Sequence, residues 1–368
     1  MRLAGSNKCS NAHGRSSSSE QYSHMPARGS TLLPYYSLNT SASSSLAPRP
    51  RCPSPAIATP ALLQLRRTHS PVCSSASTEA PSAPTRKAAP LQPPYNVLVT
   101  GSTKGVGRAL AEEFLLQGDR VIITSRSDER VQQTVAELAQ QFGADRVKGR
   151  ACNVGVSSDV VALADWAKSE FGTIDIWINN AGTNTYKFGP MTSLSNEELS
   201  EIVTTNVLGV MLCCKEAIRV MQDQPAGHIF NMDGAGADGN ATPRMAAYGA
   251  SKRSLAQLGK SLCAELTQAN IQNVGIHNLS PGMVTTELLM AGADTPTAKF
   301  FINCLAEEAA FVAKDLVPRV RRVPMEAANS RTGRMEPAYI RALTQVKAFT
   351  QIFKRLLLGD RKNRFVQE

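Results

Sequence analysis

The most constraining feature of the chain is a glycine-rich turn between an apolar run and a helical segment. Residues 96–100 (Asn-Val-Leu-Val-Thr) are mostly apolar and β-branched, and residues 108–117 carry apolar side chains at helical spacing. The turn between them contains Gly101, Gly105 and Gly107. A strand, a glycine turn and a helix in this order are typical of a site for nucleotide phosphates, because the backbone approaches closely and the helix N-terminus offers free N–H groups.

The alternation of strands and helices continues along the chain. Further strands are predicted over 120–124, 147–152, 174–178, 227–232 and 272–279. Further helices are predicted over 128–142, 157–171, 195–222 and 246–269. This order predicts right-handed crossovers and an α/β fold with a doubly wound parallel sheet of the Rossmann type. We predict one nucleotide-binding domain over 94–290, followed by a helical C-terminal extension over 291–368.

Residues 1–90 differ from the rest in composition. They hold 19 Ser, 11 of the 21 Pro and ten Lys or Arg, with only two acids, Glu20 and Glu79. Such a segment buries too little apolar surface to offset its ordering entropy, so disorder is predicted. A Ser-rich, basic, acid-poor leader is typical of an organelle transit peptide and favours the chloroplast, the alternative being a generic disordered tail. Because most of the net charge of +10 lies in this leader, the charge does not indicate nucleic-acid binding by the folded part.

Two other classes of site find no support in the sequence. No run approaches the roughly eighteen uncharged apolar residues of a spanning helix, so a soluble or peripheral protein is expected. The eight Cys form no C-x-x-C pair and have no His at metal spacing, so neither a metal site nor a disulfide framework is predicted. The adjacent Cys213 and Cys214 lie in an apolar helical run and are predicted to be core residues.

In a doubly wound sheet, ligands bind at the carboxyl ends of the strands. After the second strand, where an acid would bind the ribose 2′-hydroxyl of NAD, the chain has Arg126. Arg126 and Lys104 together favour a 2′-phosphate and hence NADP(H). Asn153 is predicted to meet the adenine, and the small residues after Asn179 to meet the nicotinamide ribose. The dinucleotide contacts predicted at this edge are Gly101, Thr103, Lys104, Gly105, Val106, Gly107, Arg126, Asn153, Val154, Asn180, Ala181 and Gly182.

Tyr248 and Lys252 are four residues apart on a predicted helix, so the phenol and the ammonium leave one face. A free phenol titrates near pH 10, and a nearby ammonium favours the phenolate. The pair predicts a proton donor tuned toward neutrality, which suits reversible carbonyl reduction. Asn206 is a polar residue on an apolar helical stripe, and on its own it fits either a core amide or a catalytic role.

These motifs together resemble the short-chain dehydrogenase/reductase family over about residues 94–290. The resemblance implies that Tyr248 is the general acid, that Lys252 lowers its pKa and binds the nicotinamide ribose, and that Asn206 holds a water for proton relay. It also implies that three residues after the last predicted strand border the nicotinamide. The residues that carry the resemblance are Thr100, Gly101, Gly105, Gly107, Asn179–Gly182, Asn206, Tyr248, Lys252, Pro281, Gly282 and Thr286.

One departure from the family concerns the carbonyl site. Family members carry a serine between the fifth strand and the tyrosine, whereas this chain has Asp233 and a glycine-rich run, with no Ser or Thr before Thr242. The candidates for the missing donor are Asp233 or Asp238, protonated or acting through water, Thr242, or a main-chain N–H. The open run beside Tyr248 suits a bulky, flat substrate, and the alternative is a flexible surface loop.

Residues 230–236 (Phe-Asn-Met-Asp-Gly-Ala-Gly) and 280–284 (Ser-Pro-Gly-Met-Val) resemble one branch of the family, the plant and algal chlorophyll b reductases. This resemblance implies NADPH-dependent reduction of the 7-formyl group of chlorophyll(ide) b on the stromal side of the thylakoid. The partners it implies are light-harvesting complexes, a partner chlorophyll b reductase and further copies of the chain. The alternatives are a plastid carbonyl or 3-oxoacyl reductase, and a catalytically weak scaffold for another reductase.

The C-terminal extension contains a second amphipathic pattern. A helix over 338–358 is predicted, with apolar residues on one side and Lys or Arg elsewhere. Such a helix could lie on an anionic membrane surface or bind a partner. The alternative is that the apolar side packs against its own domain or a second subunit.

Overall fold

The computed structural model describes residues 88–326, 329 and 334–368. This part of the chain contains seven strands and ten α-helices. The predicted leader, residues 1–90, lies outside this part apart from its last three residues. The strands are β1 (Asn96–Thr100), β2 (Arg120–Thr124), β3 (Val147–Gly149), β4 (Ile176–Asn179), β5 (Gly227–Met232), β6 (Val274–Ser280) and β7 (Tyr339–Arg341). The helices are α1 (Gly105–Leu116), α2 (Asp128–Phe142), α3 (Ser157–Phe171), α4 (Asn196–Val203), α5 (Gly209–Met221), α6 (Ala246–Gln268), α7 (Glu287–Met290), α8 (Pro296–Leu305), α9 (Ala309–Arg322) and α10 (Gln345–Leu358).

The seven strands form one parallel sheet in the order β3-β2-β1-β4-β5-β6-β7. In the centre, Leu98 of β1 pairs with Ile122 of β2 and Trp177 of β4. The winding direction reverses between β1 and β4, so a crevice opens at the carboxyl ends of these two strands. The predicted doubly wound fold is confirmed.

Helices cover both faces of the sheet. Val97 and Val99 of β1 face a layer built by α1 and α9, whereas Leu98 faces the layer built by α3 and α5. This alternation buries both faces of each central strand and explains why the strands are almost wholly apolar. Cys213 and Cys214 of α5 are buried in the second layer, which confirms their prediction as core residues.

The segment predicted as one helix over 195–222 is divided into three parts. Ser195 begins α4 through a capping box with Glu198. A π-helical turn, Thr204–Leu208, then separates α4 from α5. The extra residue of a π-turn is not visible in apolar periodicity, and such turns are frequent at functional sites.

The C-terminal extension contains a strand as well as helices, so the helix predicted over 338–358 is wrong at its start. β7 adds to the sheet beside β6, where Leu279 pairs with Ile340. Ile340 is buried while Tyr339 and Arg341 are exposed, an alternation that fits an edge strand. The helix of this segment, α10, begins only at Gln345, after Thr344 caps it by accepting a hydrogen bond from the Lys347 N–H.

α10 exposes a row of large apolar side chains. Of its fourteen residues, only Arg355 is buried. The exposed apolar residues are Val346, Phe349, Phe353, Leu356, Leu357 and Leu358, at 56–77% exposure. Packing against its own domain, one of the alternatives for this helix, therefore does not cover this side. No helix among residues 88–326 and 334–368 combines the length and apolar character needed to cross a membrane.

Candidate active site

The glycine turn after β1 packs against the loop after β4. Gly101 (φ +66°) and Gly105 (φ +57°) adopt the left-handed conformation that favours glycine. At Gly107, a Cβ atom would lie 2.4 Å from both the Gly101 carbonyl oxygen and the side-chain nitrogen of Asn180. The three glycines are therefore needed to bring the first turn of α1 to the carboxyl ends of β1 and β4.

Asn180 and Ala181 hold the loop after β4 against this turn. The Asn180 side-chain nitrogen donates to the carbonyl oxygens of Thr100 (2.9 Å) and Gly101 (3.2 Å). The main-chain N–H groups of Asn180 and Ala181 both donate to the Thr100 hydroxyl at 3.0 Å. The glycine turn, which was predicted to bind phosphate, and the loop after β4, which was predicted to meet the nicotinamide ribose, are thus joined by hydrogen bonds.

Arg126 lies in an open pocket of about 490 Å³ that Asn153 also lines. Its guanidinium pairs with Glu201 of α4 at 3.2 Å. The Asn153 side-chain oxygen accepts a hydrogen bond from the Gly155 N–H, and Val154 is buried. The structure therefore brings two of the predicted adenine-side residues to one pocket.

Lys104 faces a different set of residues. Its ammonium pairs with Glu287 of α7 at 2.5 Å and lies 5.1 Å from the centre of the Tyr186 ring. Thr103 and Val106, the other predicted contacts in this turn, are partly buried beside it. Lys104 and Arg126, which we expected to converge on one 2′-phosphate, each have an acidic partner of their own. Both ion pairs are exposed, and such pairs contribute only about 0–1 kcal/mol.

Tyr248 and Lys252 lie on α6, next to the end of β5. The Lys252 ammonium is buried and donates to the Met232 carbonyl oxygen at 3.0 Å. It lies 5.7 Å from the centre of the Tyr248 ring. At Gly182, a Cβ atom would lie 3.4 Å from this ammonium and from the Asn206 side-chain oxygen, so the predicted ribose loop, Lys252 and Asn206 meet at one point.

The electrostatics of the pair differ from the expectation. Burial, together with the negative charge of Asp233, raises the pKa of the Tyr248 phenol above its usual value. Burial lowers the pKa of the Lys252 ammonium to about 8, against the opposing effect of Asp233. The sequence suggested a phenol tuned toward ionisation, whereas these surroundings keep it protonated. A protonated phenol is the form that donates a proton to a carbonyl oxygen.

Asn206 lies in the π-turn and is fully buried. Its side-chain oxygen accepts from the Thr183 N–H (2.9 Å), and its side-chain nitrogen donates to the Thr183 carbonyl (2.8 Å) and the Ser251 hydroxyl (3.0 Å). Ser251 in turn donates to the Tyr248 carbonyl oxygen at 2.7 Å. The Asn206 side chain thus connects the loop after β4 to the helix that carries Tyr248.

Gly234 belongs to the glycine-rich run that lacks the serine of the family and lies against the tyrosine. A Cβ atom at this position would lie 2.4 Å from the Tyr248 hydroxyl oxygen. The preceding residue, Asp233, is buried and accepts a hydrogen bond from the Tyr339 hydroxyl of β7. The main chain of Gly234 therefore faces the Tyr248 hydroxyl. The carboxylate of the neighbouring Asp233 is bound by Tyr339.

Two other candidates for the missing donor are engaged elsewhere. Asp238 is exposed and accepts hydrogen bonds from both the main-chain and side-chain nitrogens of Asn240. The Thr242 hydroxyl donates to the Met245 carbonyl oxygen at 3.3 Å. Thr242 does approach α6, because a Cβ atom at Gly249 would lie 2.0 Å from its hydroxyl oxygen.

The residues after β6 reach the glycine turn from the other side. A Cβ atom at Gly105 would lie 3.3 Å from the Thr286 methyl group. Gly282 (φ +71°), which follows Pro281, packs against Leu343. Thr286, which was predicted to border the nicotinamide, borders the glycine turn, and Gly282 connects the site to the C-terminal extension.

Sequence reasoning missed Ser251 and Tyr339. Ser251 lies three residues after Tyr248 on α6, so its place on the face of the helix that carries Tyr248 follows from helical spacing, whereas its contact with Asn206, 45 residues away, does not. Tyr339 is 106 residues from its partner Asp233 and follows no recognisable motif. Only the addition of β7 to the sheet reveals it.

A glycine turn at the switch point of a doubly wound sheet, with a Tyr and a Lys beside it, defines a nucleotide-dependent oxidoreductase. The chain belongs to the short-chain dehydrogenase family, whose sequence profile, described as short chain dehydrogenase, matches residues 95–296.

Similar proteins agree with this assignment. The chain is 55% identical over 284 residues to "Chlorophyll(ide) b reductase NOL, chloroplastic" of Oryza sativa subsp. japonica, covering 77% of this chain and 81% of that protein. It is also 55% identical over 296 residues to the protein of the same name in Arabidopsis thaliana, covering 80% and 82%. Among solved structures, the 3-ketoacyl-(acyl-carrier-protein) reductase of Brucella melitensis, complexed with NADH, has the same fold. Its TM-score is 0.56 at 24% identity, covering 68% of this chain and 96% of that one.

Proposed function

We propose that this protein is an NADPH-dependent reductase that converts the 7-formyl group of chlorophyll(ide) b to a 7-hydroxymethyl group. The observation that carries the proposal is the 55% identity, over most of both chains, with proteins named chlorophyll(ide) b reductase. The surroundings of Tyr248 support the direction of the reaction. A phenol whose pKa is raised by burial and by Asp233 is held in the proton-donating form.

The residues at the switch point fit a nicotinamide dinucleotide. Gly101, Gly105 and Gly107 let the turn pack closely against the loop after β4 and against Thr286, and α1 begins directly at the turn, so its free N–H groups lie at the carboxyl ends of β1 and β4. When bound, the nicotinamide supplies the hydride. Arg126 and Lys104 would hold a 2′-phosphate, because both are exposed and their carboxylate partners are held by weak surface ion pairs.

The chain's own residues supply the proton and position the cofactor. Tyr248 donates its hydroxyl proton to the formyl oxygen, while the formyl carbon accepts the hydride, so the aldehyde becomes a primary alcohol. Lys252 holds the nicotinamide ribose from its position beside Gly182. Gly234 has no side chain that would displace the Tyr248 phenol, whose hydroxyl lies against its main chain.

The test is to incubate the purified protein with NADPH and chlorophyllide b and to separate the pigments. We expect the 7-hydroxymethyl product and an equal amount of oxidised cofactor. Tyr248→Phe should abolish turnover but retain cofactor binding. Tyr95→Phe is the matched control, since its hydroxyl donates to the Leu91 carbonyl oxygen away from the site. Reduction of a 3-oxoacyl thioester, with no change in the pigment, would contradict the proposal.

We also propose that the protein acts in the chloroplast stroma at the thylakoid surface. The similar proteins are named chloroplastic, and residues 1–90 have the composition of a transit peptide. Membrane contact would be made by α10, which exposes an apolar row. Residues 345–368 contain six Lys or Arg and two Asp or Glu. Arg355, Arg361 and Arg364 pair with Glu368 or Glu307, and the exposed Lys354 and Lys362 suit an anionic lipid surface. Light-harvesting complexes, a partner reductase and a second copy of the chain are the other proposed partners.

A further inference from the structure

Asp233 is the first residue after β5 and is buried with 6% exposure. One carboxylate oxygen accepts a hydrogen bond from the Tyr339 hydroxyl. The other carboxylate oxygen is buried and accepts no hydrogen bond of regular geometry among the described residues, although the Ser280 hydroxyl of β6 lies close enough to the carboxylate to stabilise its charge. A buried carboxylate with one unsatisfied oxygen costs free energy, so its retention needs a reason beyond packing.

The two neighbours of Asp233 in the chain contact the two central residues of the active site. The Met232 carbonyl oxygen accepts from the Lys252 ammonium at 3.0 Å. The position of a Cβ atom on Gly234 lies 2.4 Å from the Tyr248 hydroxyl oxygen. Asp233 therefore lies, in the chain, between the residue that contacts the Lys252 ammonium and the residue that contacts the Tyr248 phenol.

Tyr339 reaches Asp233 from β7. It pairs with Asn278 of β6, and the Arg341 guanidinium lies 3.9 Å from the centre of its ring. Burial, together with the hydrogen bond to Asp233, raises the pKa of the Tyr339 phenol to about 12. The hydroxyl therefore stays protonated and donates throughout the neutral range. Tyr339 lies beyond residue 296, where the match to the family profile ends.

We propose that Asp233, held by Tyr339, is a positioning residue that keeps the Lys252 ammonium charged and the Tyr248 phenol protonated. The inference rests on the proposed reductase function and deepens it. A negative charge in a buried site stabilises a nearby cation and opposes a nearby anion. Asp233 thus offsets the desolvation of Lys252 and makes the site a proton donor rather than a proton acceptor.

The charged and titratable groups around the Asp233 carboxylate come from two elements. Lys252 and Tyr248 belong to α6, and Tyr339 and Arg341 belong to β7. The uncharged Ser280 hydroxyl of β6 also bonds the carboxylate. Burial raises the pKa of Asp233, while the Tyr339 and Ser280 hydroxyls and the two cations, Lys252 and Arg341, lower it. Tyr339 therefore acts through Asp233, by stabilising the charge that Lys252 and Tyr248 sense.

The test is the pH dependence of carbonyl reduction in Asp233→Asn and Tyr339→Phe. Removing the negative charge lowers the pKa of both Tyr248 and Lys252, so the alkaline limb of kcat should move down by about one pH unit in Asp233→Asn. Tyr339→Phe keeps the ring under Arg341 and should give a smaller shift of the same sign. Asp165→Asn, on the exposed surface of α3, is the control for net charge and should give no shift.

Two further measurements make the result decisive. In the Asp233→Asn background, Tyr339→Phe should add no further shift, because Tyr339 acts only through the carboxylate. In protein labelled with ¹³C at lysine Cε, the Lys252 resonance, assigned with Lys252→Met, should titrate about one pH unit lower in Asp233→Asn.

The NMR titration needs no substrate and therefore separates this inference from the proposed function. A shifted Lys252 titration without turnover of chlorophyllide b would overturn the substrate but support the role of Asp233. An unchanged titration, or a loss of kcat that is equal at every pH, would overturn the role of Asp233.

Discussion

The Tyr248 hydroxyl faces the Cα of Gly234 so closely that a Cβ atom there would lie 2.4 Å from the hydroxyl oxygen. Position 234 therefore accepts no side chain unless the phenol moves. The phenol itself fills the space that a side chain at position 234 would need.

We expect Gly234→Ala to lower kcat by about 100-fold, because a displacement of the phenol by about 1 Å is enough to misalign proton transfer. Cofactor affinity should change little, since the glycine turn lies elsewhere. Gly259→Ala on α6 is the control, as its Cβ atom would meet only Ile276 at 3.9 Å. Turnover and cofactor titration of both variants provide the measurement, and full activity in Gly234→Ala would contradict the role of this contact.

Much of the site around Tyr248 was predictable from the sequence. The glycine turn, the loop after Asn179 and the Tyr248/Lys252 pair were predicted because each is a local pattern whose chemistry depends on neighbouring residues. Their meeting at one edge followed from the parallel sheet, which brings the carboxyl ends of successive strands together.

Contacts between distant segments were not predictable in this way. β7 has only three residues, too few for a clear alternation, and it lies next to a longer apolar pattern that was read as helix. The pairing of Tyr339 with Asp233 depends on that strand. Likewise, the ion pairs of Arg126 and Lys104 depend on α4 and α7, and charge alone does not reveal which acid each cation meets.

A second prediction concerns the cofactor. Arg126→Ala combined with Lys104→Ala should weaken NADPH binding by about 10- to 100-fold and leave NADH binding nearly unchanged, because both cations are proposed to face the 2′-phosphate. Lys168→Ala, on α3, is the control for loss of positive charge. Fluorescence titration with both cofactors provides the measurement. Equal losses for NADPH and NADH would mean that the two residues serve the fold rather than the choice of cofactor.

A third prediction follows from the buried pair His228 and His277. Their ring nitrogens lie 3.1 Å apart, and the Ala338 N–H donates to the other nitrogen of His277 at 3.0 Å. His277 therefore carries its proton on Nε2 and donates a hydrogen bond to Nδ1 of His228. Burial lowers the pKa of His228 to about 4, and burial with the neighbouring His228 lowers the pKa of His277 well below its usual value.

Because the pKa of each histidine is lower in the folded than in the unfolded chain, the unfolded chain binds more protons at acidic pH. The stabilisation is complete above pH 6.5 and is lost as the pH falls toward 4, with His228 alone contributing about 3 kcal/mol to the free energy of unfolding. Urea unfolding measured between pH 7.5 and 4.5 should show this loss as a fall in the free energy of unfolding. The fall should be smaller in His228→Phe. An equal fall in the free energy of unfolding of the variant would exclude His228 as the cause.

The last prediction concerns the exposed apolar row of α10. Phe349 and Phe353 are 56% and 63% exposed and lie one helical turn apart, so both can enter a lipid surface together. Phe349→Glu combined with Phe353→Glu should reduce binding to vesicles that contain phosphatidylglycerol by at least about 10-fold, because burial of each ring contributes about 1.5–3 kcal/mol.

The control is Leu116→Glu, an equally exposed apolar residue at the end of α1. It should leave binding intact, and because every variant retains the basic leader, the difference between them reports on α10 alone. Vesicle flotation provides the measurement. If the double variant instead floats normally but loses a concentration-dependent dimer, the apolar row is an interface between two copies of the chain, and the membrane role of α10 is excluded.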